Sequence, residues 1–160
     1  MQLADLDADG DIDVLLTNGD SFDSMYLKPS HGVRWLENQS ELKFVEHPIG
    51  DLPGAYAARS GDLDGDGDLD VLACVWLPRQ SPNDLDRSTL ATLVCFEQTS
   101  PGQFSRHTLE RGAPYFAAIE VADFDGDGDL DFAVGSNLAN IQQSPHAGVV
   151  WWNEAQTRSP

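Results

Sequence analysis

Three copies of one aspartate-rich stretch constrain this chain more than any other feature of its sequence. The copies read DLDADGDID, DLDGDGDLD and DFDGDGDLD, and they begin at Asp5, Asp62 and Asp123. Each copy places five aspartates on alternate positions of nine residues, with a glycine at the sixth position. Carboxylates at this spacing repel one another, so a fold that contains three such stretches needs a positive counter-charge at each of them.

The charge of the whole chain supports this interpretation. The 160 residues include 27 acidic and 9 basic side chains, which gives a formal net charge of −18, and fifteen of the acids lie in the three stretches. No run of basic residues is available to neutralise phosphates, which argues against nucleic acid and anionic membrane surfaces as partners. The expected partners are cations.

A hard divalent cation fits the spacing of these aspartates. In calcium loops the oxygen ligands come from alternate residues, with a backbone carbonyl at position 7 and a glycine at position 6 that permits the sharp turn. We call the stretches the first, second and third Asp loops (Asp5–Asp13, Asp62–Asp70 and Asp123–Asp131) and number their positions 1 to 9. The predicted side-chain ligands are Asp5, Asp7, Asp9 and Asp13, then Asp62, Asp64, Asp66 and Asp70, then Asp123, Asp125, Asp127 and Asp131, and the predicted carbonyl ligands are those of Asp11, Asp68 and Asp129. We therefore expect about three Ca²⁺ ions with a structural role, one in each Asp loop.

The helical EF-hand is the main alternative, because its loop opens with the same D-x-D-x-D-G pattern. An EF-hand needs an acidic residue at position 12 and a helix on each side. Position 12 is occupied here by Leu16, Ala73 and Val134, and only four residues precede Asp5. The last side-chain ligand is therefore predicted at position 9, directly before a strand.

The segments that flank the Asp loops also recur, so the repeat is longer than the loop. Asp62 follows Asp5 by 57 positions, and Asp123 follows Asp62 by 61. The recurring segments are HGVRWLEN (31–38), ATLVCFEQ (91–98) and AGVVWWNE (147–154), then FVEHPI (44–49) and FSRHTL (104–109), then GAYAARSGD (54–62) and YFAAIEVAD (115–123). Each segment is short, is rich in β-branched and aromatic residues, and predicts a strand. No segment keeps a helical apolar period over the ~10–12 residues that a helix requires.

Four predicted strands in each repeat indicate the blade of a β-propeller. The sequence therefore predicts an all-β chain, a partial β-propeller of four-stranded antiparallel blades with Ca²⁺-binding hairpin loops. We expect one propeller segment over residues 1–160, with a first blade at about 1–50 that lacks most of its first strand, a second at about 55–110, and a third at about 115–160 that lacks its outer strand. Because propellers have about 4 to 8 blades, we expect further blades of a larger chain, or self-association, to complete the ring.

The Asp loops and their flanks resemble the FG-GAP/VCBS repeat family, whose members form integrin-α-like β-propellers. The WLEN and WWNE strands and the F-x-x-H strands also resemble the bacterial consensus of that family. The resemblance implies that each Asp loop is a calcium-binding hairpin between the first two strands of a blade. One departure is the middle strand, where Cys95 stands at the position that the sequence alignment gives to Trp35 and Trp151.

No motif for catalysis, haem, zinc or phosphate binding occurs in the sequence, so we expect no enzymatic activity from this segment. His47 and His107 recur at one place in the predicted fourth strand, which favours a packing role over an active site. His31 and His146 lie beside glycines in predicted loops, where we expect them to be solvated.

The predicted function is that of a non-catalytic, calcium-binding repeat module for recognition or adhesion, as in many members of the family that it resembles. Its rim loops would bind a protein or carbohydrate ligand, and Asp84 and Asp86, in the longest inserted loop, are the first candidate contacts. The alternative is the propeller part of an exported enzyme, either one similar to polysaccharide lyases or dehydratases, or one in which the propeller is accessory to a separate catalytic domain.

The expected location is extracellular, cell-surface or periplasmic, because weak calcium sites would be empty at cytosolic Ca²⁺ levels. No signal peptide is visible, and no apolar run approaches the ~20 residues of a membrane span. Cys74 and Cys95 are expected to be free thiols; a cross-strand disulfide, which suits an exported protein, is the alternative.

Overall fold

The computed structural model describes residues 1–19, 26–41, 43–77, 86–112, 116–136 and 148–151. Within these ranges the chain forms strands and one short 3₁₀ turn, and no α-helix. The strands are β1 (Gln2–Ala4), β2 (Asp13–Thr17), β3 (Gly32–Asn38), β4 (Phe44–Asp51), β5 (Ala55–Gly61), β6 (Asp70–Val75), β7 (Ala91–Ser100), β8 (Gln103–Arg111), β9 (Phe116–Ala122), β10 (Asp131–Ser136) and β11 (Gly148–Trp151), and the 3₁₀ turn is Arg87–Thr89.

These strands form three antiparallel sheets in which neighbours in sequence are neighbours in space. The first sheet has the order β1-β2-β3-β4 and the second the order β5-β6-β7-β8. The third sheet contains β9, β10 and β11 within the described residues. Contacts join β2 to β5 and β5 to β9, so the sheets follow one another in an open series rather than a closed ring. The predicted all-β fold of antiparallel sheets is confirmed.

Each Asp loop connects the first two strands of its sheet. The last pair before the first loop is Ala4 opposite Asp13, and the corresponding pairs in the other sheets are Gly61 with Asp70 and Ala122 with Asp131. The aspartate at position 9 is therefore the first residue of the strand that leaves the loop. The three loops occupy equivalent places in the three sheets.

The apolar core lies between consecutive sheets, and β6 shows why. All six of its residues are buried, because the second sheet has a neighbour on each face. Val71, Ala73 and Val75 belong to the cluster shared with the first sheet, whereas Leu72 and Cys74 belong to the cluster shared with the third. A strand covered on both faces has no polar side to present, so the residues of β6 that follow Asp70 are all apolar.

Polar contacts also join the sheets. Ser60 in β5 donates its backbone N–H to the Gln2 side-chain oxygen of β1 at 2.7 Å, and Arg59 pairs with Glu120 of β9 at 3.4 Å. Near the opposite edge of the sheets, Arg106 of β8 donates to the backbone oxygen of Asp51 at 3.0 Å. The first two sheets are thus joined both at their first strands and at their last.

Trp35 packs where one sheet meets the next, as expected for a large aromatic side chain between sheets. The indole is 5% exposed and lies under Gly102, in the turn between β7 and β8, where an added Cβ would come within 2.9 Å of Trp35 Cζ3. Trp152, which belongs to the segment AGVVWWNE (147–154) and suits the same position between sheets, lies outside the described residues.

The strand register corrects the alignment of Trp151 with Trp35. Trp35 pairs with Leu15 of β2, and Cys95 has the equivalent place opposite Leu72 of β6. Trp151 pairs with Phe132, however, so it corresponds to Phe96, which pairs with Val71. The prediction that Trp151 and Trp35 are equivalent is wrong by one residue, because pairing to the neighbouring strand, rather than the shared tryptophan, decides the register.

Candidate metal centre

The first aspartate of each Asp loop organises the loop backbone. In the second loop the Asp62 carboxylate accepts backbone N–H groups from Gly65 at 2.8 Å and from Gly67 at 3.2 Å. In the third loop Asp123 accepts the equivalent bonds from Gly126 at 2.7 Å and Gly128 at 3.1 Å. The chain is thereby folded around the carboxylate at position 1.

The aspartates at positions 3 and 5 form short side-chain turns with the backbone two residues later, a conformation that aspartate favours. Asp64 accepts from Asp66 N–H at 3.1 Å, and Asp66 accepts from Asp68 N–H at 2.9 Å. The same two bonds occur in the other loops, where the acceptors are Asp7, Asp9, Asp125 and Asp127. Alternate side chains therefore turn toward the same side of the loop.

Carboxylate oxygens come together in each loop, at positions 1, 3 and 5 in the second and third loops and at positions 1, 3 and 9 in the first. In each loop one oxygen from each of three aspartates lies within 4.8 Å of the others. The three sets are Asp5 with Asp7 and Asp13, Asp62 with Asp64 and Asp66, and Asp123 with Asp125 and Asp127. A donor set made only of carboxylate oxygens suits a hard cation such as Ca²⁺ rather than zinc or copper, so the residues present fit the ion that the sequence predicts.

The aspartate at position 9 has a further role that sequence reasoning missed. Asp70 is 2% exposed, and its two oxygens accept backbone N–H groups from Leu63, at 3.0 Å, and from Gln98 in β7, at 2.8 Å. Asp13 accepts the same pair of bonds from Leu6 and Asn38. The side chain therefore anchors the loop to the third strand of its sheet.

In the third loop, Asp131 accepts from Phe124 N–H at 3.0 Å and is fully buried. The sequence contains a signal for this role, because an aspartate that opens an otherwise apolar strand has to be buried with its hydrogen bonds satisfied.

Asp70 and Asp7, in two of the Asp loops, have pKa values above the ordinary value of an aspartate. Burial raises the pKa of Asp70 to about 6, although the N–H groups of Gln98 and Leu63 oppose the shift. Burial, followed by the charges of Asp9, Asp13 and Glu37, also raises the pKa of Asp7, against the hydrogen bond from Asp9. A bound cation would act in the opposite direction, because it favours the charged form of each ligand.

The first loop differs from the other two at position 4. Ala8 has φ 60°, where the other loops have Gly65 at 75° and Gly126 at 83°. Asp5 accepts a hydrogen bond from the N–H of Asp9 at 3.1 Å, one residue later than the equivalent bonds to Asp62 and Asp123. An alanine therefore holds a left-handed conformation that favours glycine.

Position 7 was predicted to supply a carbonyl ligand in each loop. The residues there, Asp11, Asp68 and Asp129, donate their backbone N–H groups to the carboxylate at position 5. Their use as carbonyl ligands stays a prediction, as does the full ligand set of each loop.

Comparison with protein families identifies the repeat. A model described as an FG-GAP-like repeat matches residues 5–73, which include the first two Asp loops, and a model described as an FG-GAP repeat matches residues 112–151, which include the third. The chain belongs to the FG-GAP repeat family. FG-GAP repeats are consistent with the partial propeller predicted from the sequence.

FG-GAP repeats are generally non-catalytic structural modules. No curated protein and no solved structure matches the chain. In the parts of the chain that the structure describes, no helix is both long enough and apolar enough to span a membrane.

Each of the two recurring histidines pairs with a glutamate of the neighbouring strand. His47 Nε2 lies 2.6 Å from Glu37 Oε2, and its ring lies 4.8 Å from that of Trp35, measured between ring centroids. His107 Nε2 lies 2.8 Å from Glu97 Oε2. The repeated pair is consistent with a packing role, and the shared Glu of WLEN and CFEQ is the signal that would have predicted it.

The sequence also singled out residues that do not belong to the Asp loops. His31 is 4% exposed and its Nδ1 accepts from Gly54 N–H at 3.4 Å, so the expectation that it is solvated is wrong. Asp86 accepts from the hydroxyl of Ser88 at 2.6 Å, which lowers its pKa. Asp84 and His146 lie outside the described residues. Cys74 and Cys95 are free thiols, as expected.

Proposed function

We propose that each Asp loop of this FG-GAP protein binds one Ca²⁺ ion and that the ions stabilise the hairpins from which the sheets are built. The observation that carries the proposal is the convergence of three carboxylate oxygens within 4.8 Å in three equivalent loops. Such convergence is costly without a cation, because like charges at short range repel one another. A cation would turn the same geometry into a favourable interaction.

The proposed ligands follow the loop positions. The carboxylates at positions 1, 3 and 5 supply side-chain oxygens, position 7 supplies its carbonyl, and position 9 adds an oxygen while it keeps its backbone hydrogen bonds. The side-chain ligands are Asp5, Asp7, Asp9 and Asp13 in the first loop, Asp62, Asp64, Asp66 and Asp70 in the second, and Asp123, Asp125, Asp127 and Asp131 in the third, with carbonyls from Asp11, Asp68 and Asp129. These groups supply about five oxygens to each ion, and a bidentate carboxylate or a water molecule would complete the 6–8 oxygens that Ca²⁺ prefers.

The expected stabilisation is moderate for each site. Extracellular calcium modules have dissociation constants of ~10⁻⁴ to 10⁻³ M, so millimolar Ca²⁺ would stabilise each folded loop by ~0.4 to 1.4 kcal/mol. The three loops together would contribute roughly 1 to 4 kcal/mol, a substantial part of a typical free energy of unfolding of ~5–15 kcal/mol. The ions therefore have a structural role in this proposal.

At the level of the whole chain, we propose a recognition module built as part of a β-propeller. The proposed blades are residues 1–50, 55–110 and 115–160, and the loops at their rims present the surface for a protein or carbohydrate ligand. The proposal includes an extracellular or periplasmic location, because FG-GAP repeats are typical of such locations and weak calcium sites are filled only where Ca²⁺ is millimolar.

Isothermal titration calorimetry with Ca²⁺ tests the metal proposal. The chain, first treated with chelator, is expected to bind three ions. The Asp66→Asn variant is expected to bind one of the three more weakly, because a neutral amide oxygen replaces a charged ligand. Asparagine at position 66 keeps the oxygen that accepts the Asp68 N–H, so the substitution removes charge without removing the turn. Glu41→Gln is the matched control, since it removes one exposed negative charge outside the Asp loops.

The melting temperature gives a second readout. Asp66→Asn is expected to melt at a lower temperature than the parent chain in Ca²⁺ and at about the same temperature in chelator, whereas Glu41→Gln is unchanged in both. An absence of binding heat from the folded parent chain, or three undiminished sites in Asp66→Asn, would overturn the proposal.

A further inference from the structure

Gln98 is a buried side chain that connects two Asp loops from different sheets. It is 2% exposed, and its Nε2 group donates to the backbone oxygen of Leu6 at 3.0 Å and to that of Leu69 at 3.1 Å. Its Oε1 atom accepts the N–H of Gly102 at 2.7 Å. The amide thus uses both of its protons and one oxygen lone pair in fixed contacts.

The two acceptors lie between proposed metal ligands. Leu6 is position 2 of the first loop, and its carbonyl belongs to the peptide that leads into Asp7. Leu69 is position 8 of the second loop, and its carbonyl leads into Asp70, which also accepts the backbone N–H of Gln98 at 2.8 Å. One residue of β7 therefore holds the exit of the second loop and the entrance of the first.

Asn38 is the residue of the first sheet that corresponds to Gln98. A comparison of the two shows that the bond from Gln98 to a neighbouring loop is made in addition to the bond to its own loop. Asn38 Nδ2 donates at 3.2 Å to the backbone oxygen of Ile12, which is position 8 of its own loop. Gln98 makes that bond to Leu69 and, with one more methylene group, also reaches the neighbouring loop. The longer side chain of Gln98 is not needed for the bond to its own loop, because the shorter side chain of Asn38 makes the equivalent bond.

A small cleft lies above this amide. It is lined by residues of both loops, including Asp5, Asp7 and Asp68, and by Gln98 and Pro101. The acidic edges of the two loops therefore face each other across a narrow gap, and the amide of Gln98 is the polar group that ties them together.

We propose that Gln98 couples metal binding at the first and second Asp loops, an inference that rests on the proposed function of those loops. One Nε2 group supplies both hydrogen bonds. The bond to one carbonyl therefore fixes the orientation of the amide and restricts where the other carbonyl can lie. An ion that orders the second loop fixes Leu69 and the amide, and the amide then holds Leu6 and the peptide before Asp7 in place. Once one loop holds its ion, the other loop therefore loses less conformational entropy when it binds its own ion.

The coupling is measured in a chain with only these two loops active. The third loop is disabled by Asp125→Ala and Asp127→Ala, which remove two oxygen ligands. The Ca²⁺ affinity of the first loop is then measured by calorimetry with the second loop intact or disabled by Asp64→Ala and Asp66→Ala. With Gln98 present, disabling the second loop is expected to weaken Ca²⁺ binding at the first by at least about 5-fold, the lower end of typical coupling between sites.

Gln98→Asn is the decisive variant, because it copies Asn38 and is expected to keep the bond to Leu69 and lose the bond to Leu6. In this background, disabling the second loop is expected to change the affinity of the first by less than about 2-fold, since the sites are no longer coupled. Gln98→Met, which removes both bonds, is expected to behave in the same way. Gln103→Asn, the same substitution at an exposed site of the second sheet, is the matched control and is expected to keep the coupling. Far-UV circular dichroism in chelator verifies that each variant is folded.

The outcomes separate this inference from the proposed function. Absence of Ca²⁺ binding in the parent chain would overturn both. Two outcomes would overturn only the role of Gln98. In the first, both loops bind Ca²⁺, but the affinity of the first loop is the same whether or not the second loop is intact. In the second, the coupling persists in Gln98→Asn and Gln98→Met.

Discussion

Gly50 of β4 lies directly against the aromatic ring of Phe96 in β7 of the next sheet. A Cβ atom added to Gly50 would lie 2.8 Å from Phe96 Cζ and closer still to Cε1. Phe96 is 1% exposed and belongs to the core between the first and second sheets. The absence of a side chain at residue 50 therefore lets the two sheets approach each other.

Gly50→Ala is expected to lower the free energy of unfolding by about 1–3 kcal/mol or more, because the methyl group has no space between two packed sheets. Phe96→Leu removes the ring atoms that this methyl group would contact, so the double variant is expected to lose less stability than the sum of the two single variants. Urea denaturation of the four proteins measures the interaction. Strict additivity would contradict the contact.

Gly135→Ala is the control for this prediction. Within the described residues, a Cβ atom there meets Ala118 Cβ at 3.4 Å, which is an ordinary contact. Its expected effect is within about 0.5–1 kcal/mol, the cost or gain of replacing a strand glycine.

Ala8→Gly is expected to stabilise the first Asp loop. Ala8 has φ 60°, a conformation that costs an L-residue roughly 1–2 kcal/mol. Glycine removes that cost but adds backbone entropy to the unfolded chain, so we expect a net gain of up to about 1 kcal/mol, measured by urea denaturation in chelator. Gly65→Ala, which places its Cβ in open space at φ 75°, is the reciprocal variant and should lose stability. Loss of stability in Ala8→Gly would show that position 4 is not strained.

Asp70→Asn is expected to destabilise the chain whether or not Ca²⁺ is present. Both oxygens of Asp70 accept backbone N–H groups, so an amide nitrogen in place of either oxygen leaves one buried donor unsatisfied. Such a loss costs about 1–3 kcal/mol. Thermal denaturation in Ca²⁺ and in chelator distinguishes this anchoring role from that of Asp66, whose replacement by asparagine should matter only in Ca²⁺. A loss confined to Ca²⁺ in Asp70→Asn would mean that position 9 is a ligand alone.

The two cysteines are expected to be unreactive in the folded chain. Burial raises the pKa of Cys74 and of Cys95 to about 12. A thiol with a raised pKa stays protonated through neutral and mildly alkaline pH, and the thiolate is the reactive form. A colorimetric thiol reagent at mildly alkaline pH should label neither cysteine in the native chain and both in concentrated guanidinium chloride. Rapid labelling of Cys74, which is the buried thiol of the two, would contradict this prediction.

Much of the candidate site could be predicted from the sequence, because its determinants are local. Alternate aspartates form side-chain turns with their own backbone, and the glycine at position 6 takes φ near 100° in every loop, as Gly67 and Gly128 show. These interactions span at most five residues, so the same nine-residue pattern produces the same loop three times. The strands that follow the loops could be recognised for the same reason, from their β-branched and aromatic residues.

Interactions between distant residues could not be predicted in this way. The register that places Trp151 opposite Phe132 depends on pairing between strands. The burial of His31 depends on its contact with Gly54.

The sequence by itself therefore determined the repeat, the strand-rich fold and the positions of the carboxylate clusters, since each follows from interactions among near neighbours. The tertiary structure alone decided that Asp70 anchors its loop to β7, that Gln98 reaches Leu6 in another sheet, and that Gly50 makes room for Phe96. These contacts join residues as far as 92 positions apart. They exist only once the sheets have packed, because packing brings each pair within contact distance and removes the water that would otherwise satisfy the polar groups.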